Sequence, residues 1–548
     1  MNGLPAPALG YVELLPLIIL FAMACVQVLV EAFAPRRVRF NLQLALGILT
    51  ILAALAAAIA NLVRLAPALS AYNQGTATQQ GSSLNPGIKV AVGSIAVDGP
   101  GLMFTILLLV LGLFAVLVIG ERKLGNGVSA FTAQAAATPG SPAEREAIAA
   151  RNEHTEIFPL FTFALLGMVV FATSNDLLTL FVGLEIMSLP LYLMAGMARR
   201  RRLQSQEASL KYFLLGAMSS AIFLYGIALL YGYSGSLTLG GIADAIDANH
   251  GYQGGLHDGL LLAGMGLIAV GLLFKVSAVP FHSWTPDVYQ GSPTAVTGFM
   301  AACTKVAGFA GMLRVFYVAL GAQSWNWQPL LAVIAVLTMA VGAILAVTQT
   351  DVKRMLAYSA IAHAGFVLTA VTGAAQPENG MVRAGQLSSV SAIVFYLLAY
   401  GIGTLGAFAV VTMVRDDNGE VTDLAGWRGL ARKSPIVASV FAIFLLSFAG
   451  IPLTGGFIGK WSVFVAAWQG GYAWLVVVAV LMSLIAAFFY LRVIVVMFFT
   501  EPDSDTRVVM PSWLTLTTVA VGCLATVILG ILPGPVLNLV ALAPSFIR

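Results

Sequence analysis

Residues 274–296, FKVSAVPFHSWTPDVYQGSPTAV, place a lysine and an interior proline inside a mostly apolar stretch. A proline inside a helix removes one backbone hydrogen bond and clashes with the preceding turn. At membrane depth, broken backbone is tolerated only where it is buried in protein or lines a wet cavity. Lys275 and Pro280 therefore predict a broken helix inside a larger bundle, provided that lipid surrounds the chain.

The composition of the whole chain indicates that lipid is the solvent. Of its 548 residues, 59% are hydrophobic and only 9% are charged, and the mean hydropathy is +0.92, whereas soluble proteins carry about 25% charged residues. The net charge of +4 comes from short basic clusters between apolar runs, which set topology and do not indicate nucleic-acid binding. Cys25, Cys303 and Cys523 lie far apart without a CxxC, so neither an iron–sulfur site nor a disulfide framework is indicated.

Apolar segments long enough to span a membrane, which takes about 20 residues, extend on both sides of the broken stretch. The first is too long for a signal-peptide core of about 7–15 residues, so we interpret it as a retained span. We predict an all-α polytopic membrane protein with 14 transmembrane helices. The segments are approximately 11–33, 42–65, 99–120, 157–174, 176–198, 206–233, 258–280, 293–318, 327–348, 351–373, 389–414, 434–451 continuing to 468, 472–499 and 512–533.

The distribution of basic residues tests this count, because cytoplasmic loops of membrane proteins are enriched in Lys and Arg. With the N-terminus outside, the outer loops and ends hold only Arg64, Lys89, Arg383 and Arg548. The asymmetry favours both termini on the outer side of the membrane. The cytoplasmic loops then hold 18 of the 28 basic residues: Arg36, Arg37, Arg39, Arg122, Lys123, Arg145, Arg151, Arg199, Arg200, Arg201, Arg202, Lys353, Arg354, Arg415, Arg428, Arg432, Lys433 and Arg507.

Two pairs of similar stretches indicate an internal repeat. SNDLLTLFVGLE begins at Ser174 and QTDVKRMLAYSAIAH at Gln349, an offset of about 175 residues. Pro280 and Pro452 each interrupt an apolar run, and their offset of about 172 residues is similar. An odd number of helices per copy inverts the second copy, as in many transporters. We therefore predict two inverted five-helix repeats, helices 4–8 and 9–13, with helices 7 and 12 broken. The predicted division is 1–120 (three helices), 121–156 (cytoplasmic insertion), 157–320 (first repeat), 321–500 (second repeat) and 501–548 (helix 14 and tail).

Ionisable residues fall near the middle of several predicted spans. Glu185 lies nine residues past Asp176, which is about 13 Å at 1.5 Å per residue, and Lys305 and His363 lie about 18 Å into their helices. A charge at the bilayer centre costs roughly 2.5–3.5 kcal/mol on insertion scales. Lys275 and Lys460 flank the two breaks. Because such groups must pair, face the interior or lose their charge, we predict a proton relay in which Glu185 acts as the counter-ion of a buried lysine.

Other ionisable residues in the spans have simpler interpretations. Lys211, early in its helix, is assigned to the relay near the cytoplasmic side, although its stem could reach the interface instead. Arg314 and Arg492 are interpreted as structural pairs. His282 is interpreted as a positional residue near the first break.

These stretches together resemble a known family. FKVSAVPFHSWTPDVYQGSPTAV, followed by CTKVAGFAG at 303–311, TDVKRMLAYSAIAHAGF at 350–366 and GIPLTGGFIGKW at 450–461, is similar to the antiporter-like subunits of proton-pumping NADH:quinone oxidoreductase, respiratory complex I. The sequence of these stretches is most similar to the N-type members. Lys460 stands at the position where the M-type carries a glutamate, and the chain lacks the long C-terminal extension of the L-type. The 121–156 segment is longer than the resemblance leads us to expect.

The resemblance implies roles for individual residues. Glu185 matches the glutamate that modulates the lysine of broken helix 7, here Lys275, and Lys305 matches the central relay lysine. His363 and Lys460 match the later relay positions, and Lys211 matches a lysine of helix 6.

The resemblance also implies the setting of the subunit. It would translocate protons as a non-redox subunit driven by quinone reduction elsewhere. NADH, FMN, iron–sulfur clusters and quinone would be bound by other subunits, with no cofactor and no metal here. Its partners would be lipids, protons and the K-, J-, A- and M-type membrane-arm subunits, with no nucleic acid.

Two alternatives remain open at this point. A subunit of a multi-subunit cation/proton antiporter would use the same relay without a redox partner, and co-purification with flavin and iron–sulfur subunits would distinguish the two. A haem-carrying electron-transfer subunit needs paired axial ligands on facing helices. Only His282 and His363 lie near spans, and an absorption spectrum would decide.

Overall fold

The computed structural model describes residues 9–73, 86–134, 136–139, 141–248, 256–374, 387–502, 505–542 and 546–548. The described chain is predominantly helical. Its helices are α1 (Leu15–Phe33), α2 (Arg36–Asn73), α3 (Gly99–Ile119), α4 (Pro142–Ala149), α5 (Ile157–Thr173), α6 (Leu177–Ala195), α7 (Arg202–Ser234), α8 (Leu239–Ala248), α9 (Leu256–Val276), α10 (Trp284–Gly291), α11 (Thr294–Phe299), α12 (Lys305–Arg314), α13 (Ser324–Thr348), α14 (Val352–Gly373), α15 (Ser389–Met413), α16 (Leu430–Lys433), α17 (Pro435–Ala449), α18 (Gly455–Gln469), α19 (Ala473–Phe499), α20 (Trp513–Ile531) and α21 (Gly534–Val540).

Five short strands, which the sequence did not predict, lie in the connections between helices. β1 (Gly87–Val90) pairs with β2 (Ile95–Asp98), and β3 (Val414–Asp416) pairs on its two edges with β4 (Gly419–Glu420) and β5 (Arg507–Val508). All three pairings are antiparallel. β1–β2 and β3–β4 are short hairpins, whereas β3–β5 joins segments about 90 residues apart in sequence.

Among the described residues, twelve helices are long and apolar enough to cross a membrane. Two shorter apolar helices, Ile157–Thr173 and Pro435–Ala449, coincide with predicted spans 4 and 12. The chain is therefore a polytopic membrane protein, and the count of fourteen spans stays a prediction.

Both proline-containing stretches interrupt the helical backbone. α9 ends at Val276 and α10 begins at Trp284, and we call residues 277–283 the first break. α17 ends at Ala449 and α18 begins at Gly455, and we call residues 450–454 the second break. α10 ends at Gly291. After Ser292 and Pro293 the chain is helical again from α11 into α12, with π-helical turns at Met300–Thr304 and Val315–Ala319 on either side of α12.

Aspartate side chains start two of the central helices. Asp176 accepts a hydrogen bond from the backbone N–H of Thr179 at 2.7 Å, and Asp351 accepts one from that of Arg354 at 2.9 Å. Such caps satisfy backbone donors that a helix start otherwise leaves free. They fix where α6 and α14 begin and hence how deep their side chains lie.

The two ends of the bundle differ in charge. The loops at 121–134, 197–202, 414–423 and 507–512 touch one another, for example where Arg201 donates to Thr422 and Arg507 pairs with Asp417. We call this the basic end. At the opposite end, the connection before α3, the start of α6 and the C-terminal residues meet, where Asn175 donates to the carbonyl of Gly93.

Candidate functional site

Lys275 occupies the last turn of α9, directly before the first break, and is 3% exposed. Its amine donates to the hydroxyl of Ser188 on α6 at 2.6 Å, and this hydroxyl in turn donates to the carbonyl of Leu184. The ring of Tyr192 lies 5.9 Å from the same amine. All of these partners are uncharged.

Glu185 lies one helical turn before Ser188 on α6 and is half-buried. Its Oε1 is buried and has no hydrogen-bond partner in the described part of the chain. The amine of Lys275 reaches the serine three residues further on, and the role of Glu185 as the counter-ion of a buried lysine stays a prediction. Glu185 lies within electrostatic reach of Lys275, because it shares a face of α6 with Ser188, which Lys275 contacts.

Lys305 is 1% exposed and is the first residue of α12. Its amine donates to the carbonyl of Val276 at 3.0 Å. Val276 is the last residue of α9, so this carbonyl is one that the end of the helix leaves without an intrahelical partner. The negative end of a helix dipole favours a cation there.

His363 lies in the middle of α14 and is 4% exposed. Its Nδ1 is 2.6 Å from the hydroxyl of Tyr396, and its Nε2 is 3.2 Å from that of Tyr490, which also contacts the hydroxyl of Ser359. The ring packs against Tyr400 with centroids 4.7 Å apart. Both ring nitrogens are thus engaged by tyrosines, which does not fit an axial haem ligand.

Lys460, 5% exposed, follows the second break on α18. Its amine donates to the carbonyl of Ala449 at 2.9 Å and to the hydroxyl of Ser483 at 2.7 Å. Ala449 is the last residue of α17, so this amine also sits on the carbonyl end of the helix before a break. His363 lies within electrostatic reach of both Lys305 and Lys460.

Lys211 lies apart from this group. Its side chain is 42% exposed and pairs with Glu207 at 2.7 Å and Asp287 at 2.9 Å. Asp287 also pairs with Arg354 of α14 at 2.6 Å. The structure therefore joins Lys211 to an ion cluster near the surface, while Lys275, Lys305, His363 and Lys460 are buried.

Arg314 makes a fully buried ion pair with Asp98, in which both side chains are 0% exposed and the closest nitrogen and oxygen are 2.7 Å apart. It also donates to the carbonyl of Ala172. Arg492 donates to the carbonyl of Val347 at 2.6 Å and is half-buried. The pair of Arg314 with Asp98 agrees with its structural interpretation, whereas the contacts found for Arg492 in the described part of the chain are with backbone carbonyls.

Sequence reasoning missed the neutral partners of the buried groups. Ser188 had a usable signal, since it lies on the same face of α6 as Glu185. Tyr396 and Tyr490 are 33 and 127 residues from His363 and gave no signal, because hydroxyls in apolar helices are common.

Comparisons with known proteins identify the family of the chain. A sequence profile of the family described as NADH:quinone oxidoreductase/Mrp antiporter, TM, matches residues 174–526. The NADH-quinone oxidoreductase subunit N of Nocardioides sp. is 54% identical over 99% of each chain. The subunit N of Rhodococcus opacus is 52% identical over 99% of this chain and 97% of its own.

Solved structures show the same fold. A chain of respiratory complex I from Thermus thermophilus is 33% identical, with a TM-score of 0.71 over 96% of this chain and 100% of that one. A chain of the Mrp complex from Dietzia sp. has a TM-score of 0.75 over 97% of both chains, but at 20% identity it shows the fold alone. The quoted relatives carry the oxidoreductase name, which favours that interpretation over a free-standing antiporter. The chain therefore belongs to the antiporter-like membrane-arm subunits of NADH-quinone oxidoreductase, among its N subunits.

Proposed function

We propose that Lys275, Lys305, His363 and Lys460 pass protons to one another inside this subunit, with Glu185 setting the proton affinity at one end. The observation that carries the proposal is that four titratable side chains are at most 5% exposed, yet their hydrogen-bond partners among the described residues are all neutral groups.

The contrast with Arg314 supports this function. A buried charge that serves structure needs a close partner of opposite charge, as Arg314 has in Asp98. The buried lysines have hydroxyls and helix-end carbonyls instead. Such dipoles hold an ammonium without neutralising it, so the amine can lose its proton when a neighbouring charge or water changes.

Glu185 and Lys211 have different places in the proposal. Glu185 is close enough to bias Lys275 but is not bonded to it, so a movement of α6 or a change in hydration can strengthen or weaken its effect. Lys211, tied to Asp287, is placed at the edge of the relay on the cytoplasmic side.

The proposed topology has fourteen spans with both termini outside and inverted repeats at helices 4–8 and 9–13. Matching close approaches support the repeat. A Cβ on Gly167 of α5 would lie 2.2 Å from the backbone nitrogen of Met187, and one on Gly342 of α13 would lie 2.4 Å from that of Ala362. Small residues of this kind let membrane helices pack closely, and both pairs are offset by about 175 residues.

The two capped helix starts also match. Leu177 donates to the carbonyl of Leu237, and Val352 donates to that of Thr422, each just after the capping aspartate. Asp351 lies at the basic end, where it meets Thr422, and Asp176 lies at the opposite end. This is the relation that an inverted repeat requires. The division into segments 1–120, 121–156, 157–320, 321–500 and 501–548 is part of the same proposal.

In the proposed setting, electrons pass from NADH to quinone in other subunits, and this subunit binds no redox cofactor and no metal. K-, J-, A- and M-type subunits of the membrane arm are its neighbours. The energy released at the quinone reaches the relay through these contacts, and the protons cross a bacterial inner membrane from the basic end to the opposite end.

The test uses the assembled complex in reconstituted vesicles. Lys275→Ala and Glu185→Ala should each lower NADH-driven proton pumping. Lys433→Ala is the matched control, because the amine of Lys433 also donates to a backbone carbonyl, that of Thr506, but outside the spans. Pumping that is unchanged in assembled Lys275→Ala and Glu185→Ala complexes would refute the relay.

A further inference from the structure

A cavity of about 620 Å³ lies at the basic end, under the loops that follow α6 and α15. Its floor is formed by Ser292, which precedes α11, by Thr294 at the start of α11, and by Lys353 at the start of α14. These are the two helices that lead to Lys305 and His363. The cavity therefore lies at the ends of the two helical segments that contain Lys305 and His363.

Glu420, on β4, reaches from the cavity wall to this floor. Its Oε2 accepts a hydrogen bond from the hydroxyl of Thr294 at 2.5 Å, and its side chain is 23% exposed. Thr294 is 2% exposed and is the first residue of α11. One carboxylate thus faces the cavity and touches the buried helix at the same time.

Further polar groups lie near the contact between Glu420 and Thr294. Thr294 is eleven residues before Lys305, which is about 16 Å along a helix. In the described part of the chain, the buried hydroxyls of Ser292 and Tyr289 have no hydrogen-bond partner. Buried polar atoms without a protein partner are where ordered water is found.

The charges around Glu420 explain why an acid is needed here. The cavity lining holds seven basic and four acidic side chains, a balance that repels a free hydronium ion. Arg201 donates to the backbone carbonyl of Glu420, Arg415 lies 3.8 Å from its carboxylate, and Lys353 is near it, with Asp351 and Asp416 as the other acids beside these groups.

Burial lowers the pKa of the Arg415 guanidinium, and Glu420 opposes that shift. Arg415 therefore depends on this carboxylate as a partner. As the partner of Arg415, Glu420 also has a structural role. The experiment must therefore distinguish this role from proton transfer.

We propose that Glu420 is the proton-collecting residue of this subunit and that the cavity is its cytoplasmic vestibule. The inference rests on the proposed relay. The carboxylate binds one proton from water or a buffer acid in the cavity. It then releases one proton to water beside Thr294, so the carboxylate is restored after each transfer.

The test measures NADH-driven proton pumping by assembled complexes in vesicles as a function of the pH on the cavity side. Glu420→Gln keeps the shape and can still accept from Thr294 but cannot titrate, and Glu420→Asp keeps the acid. Asp417→Asn is the control, because it removes the same charge at the cavity mouth, where Asp417 is 88% exposed and pairs with Arg507.

Glu420→Gln should slow pumping roughly tenfold above about pH 8 and much less near pH 6, because proton capture then depends on free protons in the cavity. Glu420→Asp should retain most of the rate, and Asp417→Asn should match the parent. A high concentration of a small buffer acid should partly restore Glu420→Gln, which a purely structural role does not predict.

Three outcomes overturn the inference: an unchanged pH profile in Glu420→Gln, an equal loss at every pH, or a loss in Glu420→Asp as large as in Glu420→Gln. If Glu420→Gln does not assemble, Thr294→Val decides, since it keeps the proton-binding carboxylate but removes the contact beside which the proton is released; it should slow pumping at every pH, and normal pumping in Thr294→Val would overturn the inference. Lys305→Ala is run in parallel. Normal pumping in Lys305→Ala would contradict the proposed relay. Loss of pumping in Lys305→Ala together with normal pumping in Glu420→Gln would contradict only the proposed role of Glu420 and the cavity.

Discussion

The lysines at the two breaks donate to the same kind of hydrogen-bond acceptor, but the charged and polar groups around them differ. At each break, the last carbonyl of the preceding helix accepts from a lysine amine: Val276 from Lys305, and Ala449 from Lys460. The first break has a carboxylate nearby in Glu185. Around the second break, the described neighbours of the lysine are a serine, an aromatic ring and the His363 network.

This difference indicates that the proton affinity of the lysines is controlled differently at the two breaks. A carboxylate near Lys275 lets an outside signal change the proton affinity of the first break by moving one charge. The second break depends on hydration and on the protonation of His363. We therefore expect the first break to respond to neighbouring subunits and the second to follow it.

The largest expected effect tests what the breaks share. Lys305→Met and Lys460→Met keep an apolar stem but remove the amine, and each should lower pumping by roughly a hundredfold, since proton-transferring groups contribute about 10²–10⁴-fold. NADH-driven pumping in vesicles measures it, with Lys433→Met as the control. If only one of the two variants loses pumping, the breaks are not equivalent members of one relay.

The next effect tests what separates the breaks. Glu185→Gln removes the charge near Lys275 without changing shape and should slow pumping about tenfold, because a charge pair of this kind is worth at least about 1 kcal/mol. Glu156→Gln, at the start of α5 and 57% exposed on its side chain, is the matched control. A Glu185→Gln complex that pumps normally would remove the assigned asymmetry between the breaks.

The His363 network gives a smaller effect at the second break. Tyr490→Phe removes the hydroxyl next to Nε2 and should slow pumping about fivefold, since a buried hydrogen bond contributes roughly 0.5–1.5 kcal/mol. Tyr225→Phe, on an exposed part of α7, is the control and should pump normally. Equal rates in the two variants would show that the tyrosine only fills space.

The smallest effect compares the two serines. Ser188→Ala removes the hydroxyl that holds Lys275 and should slow pumping about threefold, within the net value of one hydrogen bond. Ser483→Ala should cost less, because Lys460 keeps the carbonyl of Ala449. The ratio of the two pumping rates is the measurement, and the reverse order would contradict the assigned partners.

The sequence predicted the parts of this arrangement that depend on local physics. Apolar length predicted the spans, and Pro280 and Pro452 predicted where the backbone is interrupted. Helical rise placed Lys305 and His363 at depth, because Asp351 and Pro293 mark where their helices begin.

The rest depends on contacts across the bundle. The partner of Arg314, Asp98, lies 216 residues away, and the bond between Glu420 and Thr294 spans 126 residues. Neither carries a local pattern. The neutral partner of Lys275 could not be predicted for the same reason, since the position of Ser188 relative to Lys275 is set by how α6 and α9 each pack on α7.

The most direct test of the relay is a density map of the whole assembled complex that resolves ordered waters. The account predicts waters and hydroxyls that join Lys275, Lys305, His363 and Lys460 into one continuous hydrogen-bonded route. Apolar side chains in van der Waals contact across the intervals between these residues, with no water in any state of turnover, would contradict it.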